Sequence, residues 1–265
     1  LSSLIPGLDD NNEDTTKNIY SSFNELVKID KRNFFGVYWM LLLRCRHLRN
    51  SGIKYLLENT TKYNDISDEN KKNEVLENEF PNINTTVINA LCEIIKEKEV
   101  PLLRNGMDFI ISRLPLTKDN TMLTDEAKIT LINGALYLLV KNEASTVRRL
   151  KNWILGLMNQ DDDADYESDD MKYRLGLVIK AFENIFKQDQ NLDSNFIKDN
   201  ILIFERFLDL EEEFVTPILS STSYQVLKAV VNYWEKKYDS QEGIIGDPLI
   251  TYIIKFFNKK NFFES

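Results

Sequence analysis

The side chains able to do chemistry are few in this sequence, and their spacing suits none of the common reactions. One histidine, His47, occurs in 265 residues, which leaves no imidazole pair for a metal and a single candidate for a general base. Cys45 stands two residues before it, a spacing that on a helix turns the two side chains to different faces. Cys92 lies far away in sequence, and neither cysteine belongs to a CxxC unit. Neither a zinc cluster nor a disulfide framework is expected, and a reducing cytosolic setting fits best. Ser220, Ser221, Thr222 and Ser223 have no neighbouring base and read as a turn with a helix cap. Gly106, Gly134, Gly156 and Gly176 form neither GxGxxG nor GxxxxGK, so no phosphate cradle is expected; isolated within helical patterns, they suit close helix packing.

The acidic stretch Asp161 to Asp170, "DDDADYESDD", holds seven carboxylates in ten residues and invites a calcium reading. Counted as a calcium-binding loop, Asp161, Asp163 and Asp165 fall correctly. The sixth position is then Tyr166 where glycine is needed for the turn, and the twelfth is Lys172 where a bidentate glutamate is needed. A solvated loop is the simpler expectation, with a phosphorylatable Ser168 or a weak cation site as the alternatives. The residues imply no catalytic site, no metal and no cofactor.

The elements that would carry any surface are helices. Gly and Pro together occupy fifteen positions and 43% of residues are hydrophobic, a pattern of long helices and not of many turn-linked strands. "FFGVYWMLLL" (Phe34 to Leu43) is too short to span a membrane, which takes about 20 apolar residues, and reads as a buried helix packed on several sides. Residues 84–98 place Val87, Ile88, Leu91, Ile94 and Ile95 behind a capping Asn84, and Pro101 suits the first turn of the next helix. From Thr124 to about Lys141 two apolar faces alternate, which predicts a sandwiched helix. Residues 171–188 carry one stripe (Leu175, Val178, Ile179, Phe182, Ile185, Phe186). Thr222 and Gln225 look like a capping box, and Asp247–Pro248 opens a terminal helix. Residues 61–80 lack periodicity and read as an exposed loop. The expected architecture is all-α, a HEAT or armadillo-like α-solenoid of stacked antiparallel helix pairs. It is read as a single domain over residues 1–265, with a candidate sub-boundary at the acidic loop 161–170.

A net charge of −9 argues against nucleic acid as a partner, since phosphate neutralisation needs a basic face. The positive charge is nevertheless clustered. Lys31, Arg32, Arg44, Arg46, Arg49 and Lys54 stand against Glu58 alone in residues 31–60; Arg104, Arg113 and Lys118 against Asp108; and Lys141, Arg148, Arg149 and Lys151 against Glu143. If stacked layers bring these clusters to one side, they would attract an anionic lipid surface, at about 1 kcal/mol per basic residue near it, or an acidic partner protein. Arg44, Arg46, Arg49, Lys141, Arg148, Arg149 and Lys151 are the candidate binding residues. Ordinary helix-end and surface charge is the competing explanation.

Two segments carry a family resemblance. "PLLRNGMDFIISRLPL" (Pro101 to Leu116) resembles a "VQRGxLDxLLxxLPL"-like segment of the Dopey family through Leu103, Arg104, Gly106, Asp108, Leu114, Pro115 and Leu116. "GALYLLVKNEASTVRRLKNWILG" (Gly134 to Gly156) resembles a "VLRRDxSLNRRLxxWLLG"-like segment through Ser145, Arg148, Arg149, Leu150, Trp153, Leu155 and Gly156. "FFGVYWMLLLRCRHLRNSGIKYLLEN" (Phe34 to Asn59) looks like the family's Trp-containing helix, Arg-bearing turn and "YLL" helix. The chain departs from the pattern where "LVKNEAST" puts Lys141 and Glu143 in place of a more basic run. The resemblance covers about residues 15–160 and implies the amino-terminal helical region of a very large cytosolic protein, peripheral on trans-Golgi network and endosome membranes. It further implies a non-catalytic scaffold in endosome-to-Golgi transport whose partners are a large Arf-exchange-factor-like protein, a phospholipid flippase and membranes bearing phosphatidylinositol 4-phosphate. The alternative is a helical adaptor that binds only protein, through acidic linear motifs. In the matched segments Trp153 is expected in the core, and Arg104 with Asp108 forms an i, i+4 pair.

Overall fold

The computed structural model describes residues 1–9, 12–157, 165–187 and 194–239; residues 161–164 of the acidic stretch and the terminal helix read at 247–257 lie outside them. Every regular element among the described residues is helical. The chain divides into two compact units, one of residues 1–138 and 142–163 and the other of residues 139–141 and 164–265.

In the first unit the helices are α1 (Glu13–Ile29), α2 (Lys31–Arg44), α3 (Arg49–Asn59), α4 (Glu69–Asn78), α5 (Ile88–Ile95), α6 (Val100–Arg113), α7 (Asp125–Leu136) and α9 (Ala144–Leu155). The short turn α8 (Leu138–Lys141) intervenes before α9. Two rows result. Helix α2 packs on α5 and α5 on α7, while α3 packs on α6 and α6 on α9; α2 with α3 and α5 with α6 form the crosspieces. This is the layered order of an α-solenoid, in which each helix pair buries its apolar face against the next.

Boundaries follow local chemistry. Asp30 caps α2 by accepting the Asn33 amide at 3.0 Å, and Thr124 caps α7 by accepting that of Ala127 at 3.2 Å. Pro101 sits in the first turn of α6 as expected. Helix α9 stops at Gly156, whose φ of 71° is the left-handed conformation glycine tolerates. The Leu157 amide then returns to the Asn152 carbonyl at 2.9 Å. Gly156 is therefore a helix terminator. Gly106 and Gly134 do provide close packing, since a Cβ would stand 2.9 Å from Ile94 Cγ2 and 2.8 Å from Cys92 Sγ respectively; Gly176 has nothing within 4 Å of that position.

Several expectations are corrected. Residues 61–80 are not a loop: α4 forms there behind an Asp68 cap, and Val75, Glu79 and Phe80 are buried. The single adjacent pair of apolar residues, Val75 and Leu76, suffices because the following Phe80 joins an aromatic cluster with Trp39 and Phe109, at 6.2 Å from each ring. Asn84 does not cap α5. A π-helical turn (Ile83–Val87) precedes α5, entered from Asn82 in the left-handed region, and the Asn84 side chain accepts the Thr124 amide at 3.1 Å. Helix α2 is not apolar on every buried side: Phe34, Phe35, Tyr38, Trp39 and Leu42 are buried, but Val37 and Met40 remain 51% and 43% exposed.

In the second unit α10 (Asp169–Lys187), α11 (Ser194–Leu208) and α12 (Val215–Asp239) pack together. Phe182 meets Phe204 and Phe207 edge-on at 5.0 and 5.2 Å, and Phe207 stacks on Phe214 at 5.3 Å. The capping box read at Thr222 is also corrected. Thr222 lies inside α12, fully buried, and donates its hydroxyl to the Ile218 carbonyl at 2.7 Å. A buried threonine can satisfy its hydroxyl against the preceding turn without ending a helix.

Candidate functional site

The two rows of the first unit have two distinguishable ends. At one, the α2–α3 connection meets the end of α5 through Arg46 and Arg49, and the start of α6 meets the start of α9 through Arg104. At the other, Arg113 at the end of α6 reaches the end of α3, and the Trp153 indole near the end of α9 donates to the Leu114 carbonyl at 3.0 Å. Arg44, Arg46 and Arg49 thus stand at the first of these ends, whereas Arg148, Arg149 and Lys151 lie along the second turn of α9.

Most of these cations are engaged within the fold. Arg49 is buried and donates to the Leu42 carbonyl at 3.0 Å, the Leu43 carbonyl at 3.1 Å, the Glu93 carbonyl at 3.2 Å and the Glu97 carboxylate at 2.7 Å. Arg46 donates to both oxygens of the same Glu97, at 2.9 and 2.8 Å, from an exposed position. Burial alone would raise the Glu97 carboxyl, but the two guanidinium groups outweigh it and hold the acid below the usual carboxylate range. Lys54 pairs with Asp9 at 2.7 Å, and Lys31 with the buried Glu79 at 2.8 Å. Glu79 also accepts the Thr61 amide and hydroxyl at 2.6 and 2.8 Å, so it joins α2 to the chain just after α3.

The α6–α9 contact exchanges the expected partners. Arg104 donates to Glu143 at 2.9 Å and to the Ser145 hydroxyl at 2.5 Å, while Asp108 accepts from Arg149 at 2.6 and 3.3 Å. The i, i+4 pairing of Arg104 with Asp108 gives way to two bridges between helices. Glu143, which departs from the family's basic run, caps α9 by accepting the Thr146 amide at 2.8 Å. Arg104 and Ser145 lower its carboxyl to about 2. Arg113 is buried without a carboxylate in any ion pair among the described residues. It is satisfied by the Thr60 and Leu57 carbonyls at the end of α3, where the helix dipole favours a cation, and by the Phe109 ring 5.5 Å away.

Arg44 at the end of α2 and Arg148 in the second turn of α9 remain exposed, with no ion pair among the described residues. Lys151 is half-buried on α9, and Lys141, half-buried, belongs to the second unit. The carboxylates Glu97 and Glu79 are the residues that charge counting passed over, while Glu143, which it counted, pairs with Arg104 of another helix. Their signal in the sequence is slight: Glu97 lies in a "KEKE" run directly behind an apolar helix, where one acid can turn inward toward a neighbouring layer.

No group of three or more His, Cys, Asp or Glu side chains is placed to hold a metal among the described residues, and no helix there is long and apolar enough to cross a membrane. Cys92 is buried against α7, which pushes its thiol up to about 11 and away from nucleophilic form. Trp153 is buried as expected.

Comparison with known proteins agrees with the stacked unit. The chain is 27% identical over 173 residues to Protein pad-1 of Caenorhabditis briggsae, covering 61% of this chain and 7% of that protein. It is 22% identical over 132 residues to the Protein DOP1 homolog of Drosophila melanogaster, covering 48% of this chain and 5% of that protein. It therefore spans only a small fraction of these relatives' length. No solved structure gives a significant match. The family model described as "Dopey, N-terminal" matches residues 1–159, nearly the whole of the unit in which Arg104, Asp108, Arg149 and Trp153 join α6 to α9, and the chain belongs to the Dopey family.

Proposed function

We propose that this chain is a non-catalytic scaffold module of a trafficking protein, acting in transport between endosomes and the Golgi. Family membership is the observation that carries the reading. The fold is compatible with it: stacked helix pairs offer long surfaces for partners. The partners in this reading are a large Arf-exchange-factor-like protein and a phospholipid flippase, with peripheral attachment to trans-Golgi network and endosome membranes carrying phosphatidylinositol 4-phosphate.

The lipid element rests on two arginines of the first unit, Arg44 at the end of α2 and Arg148 in the second turn of α9. Both are exposed, and they can turn to an anionic headgroup without abandoning a carboxylate. Arg49 and Arg149 are poor choices for that role, since each would first have to leave Glu97 or Asp108. The test is flotation with neutral vesicles and with vesicles containing phosphatidylinositol 4-phosphate, comparing the natural chain with an Arg44→Glu, Arg148→Glu double variant. Selective recovery lost in the variant supports the reading. Equal recovery of both removes these arginines from lipid binding, and salt-sensitive capture of a protein partner without lipid would favour the protein-only adaptor.

A further inference from the structure

Residues 1–9 lie on the first unit in the manner of a bound peptide. Their short 3-10 turn (Ile5–Asp9) packs on α1 and α3, yet the backbone hydrogen bonds of the segment stay within it. The Leu4 and Ile5 amides donate to the Leu1 carbonyl at 2.9 and 3.0 Å, and the Gly7 amide donates to that of Leu4 at 3.0 Å. Side chains make the attachment. Ile5 is fully buried, alone among the nine. Four positions later the Asp9 carboxylate meets three donors of α3 together: Asn50 Nδ2 at 3.2 Å, Ser51 Oγ at 2.6 Å and Lys54 Nζ at 2.7 Å. Between these two anchors Gly7 passes so close to α1 that a Cβ would stand 2.6 Å from Ile19 Cδ1.

The receiving surface is built by the stack and the occupant is lightly held. Lys54 stands three residues after Ser51 and four after Asn50, the spacings at which helix side chains meet, so α3 itself arranges the three donors. Glu58, one turn beyond Lys54, already accepts the Tyr20 hydroxyl at 2.6 Å, which leaves Asp9 as the carboxylate that Lys54 holds. That side chain of Asp9 is 33% exposed, and Leu1, Leu4 and Leu8 are only half-buried. A segment fixed by one buried side chain and one part-exposed carboxylate opens at a lower free energy than the helices beneath it. Its departure would leave an apolar socket and three aligned donors, complementary to another segment of the same pattern.

We propose that the α1–α3 surface beneath residues 4–9 is a binding site for a short acidic segment of a partner protein, with an aliphatic residue, a small residue two positions on and Asp or Glu four positions on. Ile5, Gly7 and Asp9 of this chain fill the site as a tethered competitor. Exchange of these segments between two copies is a poorer occupancy, since it creates no contact that one copy lacks and costs the entropy of association. A partner segment can add contacts on either side of the motif. The site uses neither Arg44 nor Arg148, so its test stands apart from vesicle flotation.

The experiment uses the whole chain and, as probe, a peptide of residues 1–9 with a fluorescent label on its C-terminal amide, read by anisotropy. An Ile5→Asp, Asp9→Lys chain ejects the tethered segment and leaves α3 unaltered. It should bind the probe at least tenfold more tightly than the natural chain, in which the tether holds the competitor at a millimolar effective concentration. A probe carrying Asp9→Lys should lose at least tenfold on the emptied chain and regain it when that chain also carries Lys54→Glu, a rescue that a packing defect would not produce. Equal binding of the probe to natural and emptied chains, or indifference to the charge reversal, overturns the proposal. Hydrogen exchange on the natural chain checks it without any substitution. Excess unlabelled peptide should speed exchange of the Leu4, Ile5 and Gly7 amides at least tenfold while α3 keeps its protection; no acceleration, or exchange of the segment only together with α3, overturns the proposal. So does a dimer seen by sedimentation in the natural chain and absent from the emptied one, which would assign the site to a second copy.

Discussion

Replacing Glu97 with alanine should destabilise the first unit more than any other single change to its surface charge. One carboxylate there serves two arginines of unequal standing. The Arg49 side chain is 8% exposed and that of Glu97 7%, whereas the Arg46 side chain is 71% exposed. Breaking a buried pair typically costs about 3–5 kcal/mol because the remaining charge is left unpaired in a poorly solvated place. Arg49 would keep the Leu42, Leu43 and Glu93 carbonyls and a long 3.5 Å contact to the Glu93 carboxylate, so the lower edge applies, about 3 kcal/mol. Removing Arg46 instead should cost less than about 1 kcal/mol, the range of exposed pairs. Urea denaturation followed by circular dichroism measures both, and a double-mutant cycle separates them: coupling of Glu97 to Arg49 should exceed coupling to Arg46 by at least about 1 kcal/mol. A cost below about 0.5 kcal/mol for Glu97→Ala, or equal coupling to the two arginines, would refute the assignment of Glu97 as the clasp between the α2–α3 turn and α5.

Acid should weaken the same region. The Glu97, Glu93, Asp9 and Asp68 carboxyls all sit below their ordinary values of 4.5 and 3.8. A depressed folded value gives stability that is present above the unfolded value and is lost as pH falls through the folded one. Unfolding free energy from urea titrations should therefore be flat from pH 8 to about 5 and decline below about pH 4.5; a decline beginning above pH 6 would contradict the pairing. Two glycines should respond with opposite sign. Gly52→Ala drives a Cβ into the buried Leu42 side chain and should cost about 1–3 kcal/mol, whereas Gly176→Ala meets nothing in α10 and should add about 0.5–1 kcal/mol, both read from denaturation midpoints. Trp153→Phe keeps most of the ring but orphans the Leu114 carbonyl, and should cost about 1–3 kcal/mol by the same assay.

Apolar periodicity made the fold legible because burial is a property of one helix face at a time. Val87, Ile88, Leu91, Ile94 and Ile95 are all buried as their spacing predicts, and α10 runs where its stripe lies. Failures occur where a neighbour supplies what the local pattern lacks. Helix α4 has a weak stripe but is secured by Trp39, whose indole donates to the Glu79 carbonyl at 2.9 Å. Asn84 resembles a cap, yet its oxygen is taken by the start of α7 forty residues later. Thr222 resembles a start signal, yet its helix began seven residues earlier at Val215. Trp39 and Asn84 act across layers and Thr222 bonds back within its own helix, and no local rule registers that competition.

The basic clusters show the same limit in electrostatic form. Positive segments with few acids nearby in sequence suggest a basic face only if their counter-charges stay distant in space. Stacking removes that condition, because each layer brings its neighbour's acids into reach: Glu97 comes from α5 to Arg46 and Arg49, Glu79 from beyond α4 to Lys31, Glu143 from the start of α9 to Arg104. The resulting bridges join consecutive layers, so much of the charge that sequence segregates is structural. Recognition then falls to the cations that stacking leaves over. Arg32, Arg44 and Arg148 are exposed and hold no carboxylate among the described residues. Charge reversal at Arg44 and Arg148 should accordingly leave the denaturation midpoint unchanged while reducing vesicle flotation, whereas reversal at Arg149, which breaks its bridge to Asp108, should lower the midpoint; a lowered midpoint in the Arg44 and Arg148 variants would mean that these two arginines are structural as well.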